Sequence, residues 1–484
     1  MPTQVSGRRA WFGLVVLMLP VILVSMDFSV LYLAMPTISQ ALDPSATQEL
    51  WMLDIYGFAI AGLLITMGNL GDRIGRRRIL LLGAALFGAA SVAAAFAPSA
   101  AFLIAARALM GVGGSTLLPA SLALIANMFS RNADRARAIG VWTAAFAGGA
   151  AIGPVTGGVL LHHFWWGSVF LINVPVLAAL FLLAPFVLPE YKSAATHPFD
   201  LLGVVLSLLG ILPVVYAVKN AAATGLSAGT AMIGLFGATM IVLFLRHQRR
   251  TPAPLVDLRL FGNATFSACI AVALVGMMAQ AGMAYLTNVY LQSAVGRDVL
   301  VAALAGLPMA ITIAVFSIGA ERVTALVGVP RALTGALLLA ALGNLGIVAL
   351  DLSSPLWWFM AFTAVAGAGY GIQFALVTDV VVGSVPPAHS GAASGISETS
   401  FELGTALGLA LFGSLATAVF VAQGGGRFAD SFGKTLEQTS GATAHAAKEA
   451  FVNGMHAAAL AAGVALLVLS AVVAYVMRSP KHTA

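Results

Sequence analysis

The chain has 484 residues, 60% of them hydrophobic and only 9% charged, and its mean hydropathy is +0.97. These values exclude a soluble domain of this length and indicate a polytopic membrane protein. The net charge of +6 comes from basic residues in short connectors, so it reads as a topology signal and excludes a nucleic-acid partner. One cysteine, Cys269, leaves no disulfide framework and no cysteine metal cluster. Neither a metal nor a cofactor is expected.

Apolar runs of about 20 residues, each long enough to cross a bilayer, begin directly after Arg8 and Arg9. The first is read as a retained helix, since no small-residue cleavage site follows it. The runs cover 12–35, 50–70, 79–97, 101–126, 138–161, 168–188, 200–218, 227–245, 264–291, 299–318, 332–350, 356–382, 393–422 and 454–477. Fourteen spans put both termini on one side. The connectors on that side carry most of the arginines, while only Lys219, Arg297, Arg427, Lys434 and Lys448 fall opposite. By the positive-inside rule both termini are cytoplasmic.

Five carboxylates stand in or at the ends of these runs: Asp27, Asp54, Asp379, Glu398 and Glu402. An acid at membrane depth costs kilocalories and calls for a function or a partner. Asp27 lies deep in the first span. Asp54 shares a helical face with Trp51 and Phe58, a setting in which charge and ring faces together can hold a cation. Glu398 and Glu402 are one helical turn apart, and neighbouring carboxylates resist simultaneous ionisation. Asp379, close to Gly383 and Pro386, is expected to cap or to pair with a connector. Phe28, Tyr32, Tyr56, Tyr285 and Phe374, with Trp51 and Phe58, are candidates for an adaptable aromatic wall, with ordinary helix packing as the alternative.

Between spans 2 and 3 the chain carries Gly68, Asp72, Arg73, Gly75 and Arg76, followed by Arg77 and Arg78. The glycines permit a tight turn, Asp72 can pair with arginine, and the basic run is expected at the headgroup face. The segment resembles the signature loop of the major facilitator superfamily, and Gly319 to Arg331 looks like a worn second copy. Span 4 holds Arg107 before Met110, Gly111, Gly113 and Gly114, similar to another motif of that family. An arginine there needs carbonyls or a carboxylate, and Asp27 is a candidate. Span 5 reads Gly149, Gly153, Pro154, Gly157 and Gly158, resembling the motif of the exporting branch. Small residues at this spacing allow close helix approach, and a proline bends the helix. The stretch from Met26 to Pro36 and the stretch from Trp166 through Asn173 to Pro175 resemble elements of the fourteen-helix drug:proton antiporters.

The resemblance covers essentially the whole chain. It implies an all-α major facilitator fold: a six-helix bundle over 1–190, an inserted helix pair with linkers over 191–262, and a second bundle over 263–484, whose stretch 423–452 reads as an external loop or a short helical hairpin. It further implies alternating access in a monomer of the inner membrane, with protons, small hydrophobic cations and the lipid bilayer as partners. Competition between proton and cation for shared carboxylates, Asp27, Asp54, Glu398 and Glu402, would couple the two fluxes. The alternative on the same scaffold is an exporter of one metabolite, such as an amino acid or an endogenous antibiotic. No HExxH or Walker pattern is present, so catalysis is not expected.

Overall fold

Every regular element is helical in the computed structural model, which describes residues 7–44, 46–192, 200–224, 227–252, 254–386, 390–429 and 432–478. Helix is the natural solution here, because a segment in lipid must satisfy its own backbone hydrogen bonds. The helices are α1 (Gly7–Leu42), α2 (Ala46–Ile74), α3 (Arg76–Ala95), α4 (Ala100–Met128), α5 (Asn132–His163), α6 (Ser168–Leu171), α7 (Asn173–Val187), α8 (Leu201–Thr224) and α9 (Ala228–Gln248). They continue with α10 (Ala264–Val289), α11 (Val299–Val327), α12 (Val329–Gly346), α13 (Leu356–Gly383), α14 (Ser390–Gly424), α15 (Phe432–Gln438) and α16 (Gly441–Arg478). Fourteen segments among the described residues are long and apolar enough to span a membrane, as the apolar runs predict.

Local sequence sets several of the ends. The Ser99 side chain accepts from the Phe102 N–H at 3.3 Å to start α4. Asn263 accepts from the N–H groups of Thr265 (2.9 Å) and Phe266 (3.3 Å) to start α10. The sixth span runs from Ser168 to Val187; α6 and α7 meet at Ile172, whose backbone stays helical with φ −58° and ψ −24°.

Of the two forms expected for the stretch 423–452, a loop or a short helical hairpin, the structure has the helical one. It is largely helical, with α15 inside it and α16 beginning at Gly441, well before residue 454. Alanine, lysine and glutamate after Gly441 favour helix. Aromatic rings fasten the segment down: Phe432 stacks on Phe451 at 4.4 Å, and Phe420 on Phe428 at 5.0 Å.

By internal contacts the chain divides into two compact units. The first comprises Met1–Leu212, Phe236–Gly262 and Val377–Thr399; the second comprises Pro213–Leu235, Asn263–Leu376 and Ser400–Ala484. In the first, α3 lies along α4 and α1 along α5, around a core that includes Leu17, Leu31, Leu64, Phe87, Leu117 and Phe170. Lipid tails are as apolar as leucine, so close backbone approach must supply much of the attraction between helices. The α1–α5 seam illustrates this. A Cβ at Gly149 would lie 2.6 Å from the Ile22 carbonyl oxygen, and one at Gly153 would lie 3.0 Å from that of Met26. In the second unit, α16 packs against both α12 and α10.

Candidate functional site

Asp27 of α1 and Arg107 of α4 form an ion pair in the interior of the first unit, each 1% exposed. Arg107 Nη1 donates to Asp27 Oδ2, and its Nε donates to the Met52 carbonyl at 3.2 Å. The Tyr56 ring lies under the guanidinium with 4.6 Å from carbon to centroid. Arginine at this depth is thus met by a carboxylate, a carbonyl and a π face, which together offset the loss of water.

Asn173 completes the cluster. It is 1% exposed, and its Nδ2 donates to Ser91 Oγ of α3 at 3.1 Å. Five helices, α1, α2, α3, α4 and α7, contribute to this centre. Sequence reasoning names Asp27 and Arg107 but passes over Asn173 and Ser91 as functional residues. The available signal was an amide inside a strongly apolar run.

The signature turn is built around Gly75, whose φ of 117° is open to glycine and strained for other residues. A Cβ there would also lie 2.5 Å from Glu190 Oε1. The arginine run does not lie at the surface as a whole. Arg76 is buried, gripping Asp72 Oδ1 through Nε (2.9 Å) and Nη2 (2.7 Å) and reaching the Ala123 carbonyl at 3.0 Å. Arg77 is half-buried and donates to the carbonyls of Pro185 and Leu188, while Arg78 remains exposed. The headgroup placement therefore fails for Arg76, because its guanidinium has a buried carboxylate to compensate. Asp72 Oδ2 also accepts from the Ala392 N–H at 3.2 Å, in the first turn of α14. Arg73 donates from Nε to Asn69 Oδ1 at 3.3 Å. Glu190, absent from the sequence expectations, accepts from the Arg77 N–H at 3.1 Å.

The worn copy of this turn keeps its geometry. Gly328 has φ 81° and directly precedes α12, as Gly75 precedes α3. Glu321 and Arg322 lie within α11.

The other acids are placed as follows. Asp379 pairs with Arg135 (Nε to Oδ1, 2.9 Å), which supplies the connector partner expected for it. Asp54 is half-buried on α2, and the flanking rings of Trp51 and Phe58 meet edge to face at 5.8 Å. Glu398 is buried and Glu402 half-buried, one turn apart on α14. Between them in sequence, Phe401 meets Phe374 edge to face at 5.4 Å, and Phe374 stacks on Tyr370 at 5.8 Å. Tyr56 is fully buried against Arg107, and Tyr285 is 52% exposed. The side chains of Phe28, Tyr32 and Pro154 lie outside the described residues. In the α5 motif, Gly153 and Gly157 face α1 closely, whereas Gly158 is exposed, with its nearest neighbour 3.8 Å from a Cβ.

A further polar knot joins Asp200, just before α8, to the end of α9. Asp200 accepts from His247 Nε2 (2.7 Å), Gln248 Nε2 (2.7 Å) and the Gly203 N–H (2.8 Å). Burial pushes the Asp200 carboxyl up, but these donors outweigh it and hold the group below the usual carboxylate range. Gln248 Oε1 then accepts from Val256 N, and the Leu255 carbonyl accepts from Asn69 of α2 at 3.3 Å.

Fourteen segments among the described residues are long and apolar enough to cross a membrane, and the first unit buries an ion pair, which defines a polytopic membrane protein. The family model of the Major Facilitator Superfamily matches residues 17–409 and residues 268–483, and the chain belongs to that family. It is 38% identical to the multidrug efflux pump LfrA of Mycolicibacterium smegmatis, over 98% of each chain. It is 35% identical to the methyl viologen resistance protein SmvA of Salmonella typhimurium, over 96% of this chain and 97% of that one. Among solved structures, the human organic anion transporter MFSD10 superposes with a TM-score of 0.66 at 16% identity, over 97% of this chain and all of that one, a likeness of fold.

Proposed function

We propose that the protein is a proton-coupled antiporter that exports hydrophobic, mainly cationic compounds such as quaternary ammonium biocides and dyes across the cytoplasmic membrane. The observation that carries this reading is the buried Asp27–Arg107 pair in a chain so similar to LfrA and SmvA along its length. A carboxylate compensated by one guanidinium can give up part of that compensation to a proton or to a substrate cation. It cannot hold both at full strength, because each removes the charge that attracts the other. Proton entry from outside and cation arrival from inside therefore compete, and the competition couples the fluxes.

Other sites have supporting roles in this reading. Asp54, on the same helix as the Trp51–Phe58 ring pair, provides a cation contact by charge and ring face. Glu398 and Glu402, one turn apart on α14, supply further acidic positions for a proton or a second positive charge. The Asp72–Arg76 and Arg135–Asp379 pairs hold one closed arrangement of the connectors and part when it opens. The arginine-rich turns put both termini in the cytoplasm, the two halves act as six-helix bundles flanking the inserted α8–α9 pair, and a monomer suffices.

The test uses everted vesicles carrying the protein, an imposed pH gradient and ethidium as probe. Wild-type protein should accumulate ethidium only while the gradient lasts, and Asp27→Asn should abolish this. Gradient-independent accumulation, or full coupling in all of Asp27→Asn, Asp54→Asn, Glu398→Gln and Glu402→Gln, would overturn the reading.

A further inference from the structure

The chain on either side of the inserted α8–α9 pair returns to the same short stretch of α2 and α3. Ahead of the pair, the Tyr191 carbonyl accepts from the Arg76 N–H at 2.9 Å, and Glu190 Oε1 accepts from the Arg77 N–H at 3.1 Å. These are the first amides of α3, whose start at Gly75 has no side chain to cap it. Behind the pair, the connector is exposed at Arg249, Arg250 and Asp257 but buries Leu255 and Val256, which are 2% and 5% exposed. A buried dipeptide must find partners for its backbone polar groups. The Leu255 carbonyl accepts from Asn69 Nδ2 at 3.3 Å, and the Val256 N–H donates to Gln248 Oε1 at 3.1 Å.

We propose that the inserted pair braces the signature turn, with Gln248 the positioning residue that seats the Leu255–Val256 strap and Asn69 the residue that receives it. The proposal rests on the reading of that turn as a part that opens and closes during transport, and deepens it by naming what the turn is held from.

The two amides suit these tasks because a primary amide donates and accepts on one planar group. Gln248, 3% exposed, donates from Nε2 to Asp200 Oδ2 at 2.7 Å while its Oε1 accepts from the strap. Asp200 is itself fixed to α8 by the Gly203 N–H (2.8 Å) and to α9 by His247 Nε2 (2.7 Å). Gln248 therefore sets the strap against a firm point at the base of both helices. Gly203 leaves the room for this, since a Cβ there would lie 2.6 Å from Gln248 Nε2. Asn69 faces the other way: it donates to the strap and accepts from Arg73 Nε at 3.3 Å. A continuous path of hydrogen bonds and two peptide units thus joins Asp200 to Arg73 of the turn.

The alternative is an amide that merely staples the connector to α9. Hydrogen exchange read by mass spectrometry separates the two, on full-length protein in nanodiscs, over the turn (69–78) and the strap (254–258). Ethidium uptake by proteoliposomes under a pH gradient supplies turnover and the half-saturation concentration. Gln248 makes no hydrogen bond to the described residues of the turn. Even so, Gln248→Leu should speed exchange in the turn by about tenfold, as expected when a buried polar link is lost. Turnover should fall by a similar factor while the half-saturation concentration holds, because the strap does not touch the substrate. Coupling is reciprocal, so Gly75→Ala, which strains the turn, should speed exchange in the strap. Asn69→Ala should loosen both segments and cut the path between them. In that background Gln248→Leu should act on the strap alone. Asn69→Ala also keeps the question answerable where Gln248→Leu fails to insert, through its effect on the strap.

Faster exchange confined to the strap in Gln248→Leu would overturn the proposal, and so would wild-type turnover with a loosened turn. An effect of Gln248→Leu on the turn that persists in full in the Asn69→Ala background would overturn it as well, because the path would not run through Asn69. The wider reading fails separately: wild-type protein without gradient-driven ethidium uptake removes the antiporter assignment, and the exchange of turn and strap still decides the brace.

Discussion

The two units treat buried polarity in opposite ways. Among the described residues, the buried charged side chains, Asp27, Asp72, Arg76, Arg107, Asp200 and Glu398, all belong to the first unit. The second unit buries neutral groups: Asn344 donates to Tyr370 Oη at 2.8 Å, and Gln373 donates to the Val272 carbonyl at 3.2 Å. The two related turns differ in the same way. Gly75 is ringed by Glu190 and adjoins the buried Asp72–Arg76 pair, while a Cβ at Gly328 would meet only Pro330, at 3.9 Å. Duplicated geometry has thus survived in both halves, but charge chemistry is concentrated in one. Neutral amides hold helices together at any pH; an ion pair responds to protons and cations.

The largest expected effect tests the charged side of this contrast. Arg107→Leu strands a buried carboxylate and should cost about 3–5 kcal/mol, read as earlier unfolding in detergent. Adding Asp27→Asn should recover most of the stability without restoring gradient-driven transport. Wild-type stability in the single variant would mean that the pair is not what balances Asp27.

Next come the turns. Forcing a side chain onto a positive φ costs on the order of 1–3 kcal/mol, so Gly75→Ala and Gly328→Ala should both lower thermal stability. Gly75→Ala should lower it more, because its Cβ also meets Glu190. Equal losses would show that Glu190 simply moves aside.

On the neutral side, Gln373→Leu should cost only about 1 kcal/mol, because it removes one hydrogen bond together with the unpaired Oε1. The pH midpoint of ethidium transport should stay at the wild-type value. A shifted midpoint would break the division between a charged and a neutral unit.

The smallest effect concerns Asp200. Its carboxyl is held below the usual range when folded, so its contribution to stability is full above the unfolded value of about 4. That contribution is lost as pH falls through the lower folded value. Unfolding midpoints of wild type and Asp200→Asn should differ at neutral pH and converge in acid. A gap that persists in acid would mean that packing, not charge, is what Asp200 supplies.

Much of this was legible in the chain. The fourteen spans follow from apolar runs, since lipid leaves a backbone few alternatives to helix. The glycines at 75 and 328 announce their turns, and Arg107 and Asp27 advertise a mutual need because each is intolerable alone at that depth. The stretch 423–452 left loop and helical hairpin open in the sequence, because its small polar residues resemble a linker while its alanines permit helix; packing of Phe420 on Phe428 and of Phe432 on Phe451 decides for the folded form. The arginine run was misjudged because charge alone says nothing of which guanidinium finds a buried acid.

By itself the sequence determined the solvent of this protein, its helical architecture and the short list of charges that require partners. These follow from composition and from runs along the chain. Only the tertiary structure decided the partners: Arg107 to Asp27 across 80 positions, Arg135 to Asp379 across 244, and Asn173 to Ser91 across 82. The physical reason is that a membrane helix rotates and slides until small residues allow close approach. Which polar groups then face one another is a property of that packing and not of any segment alone.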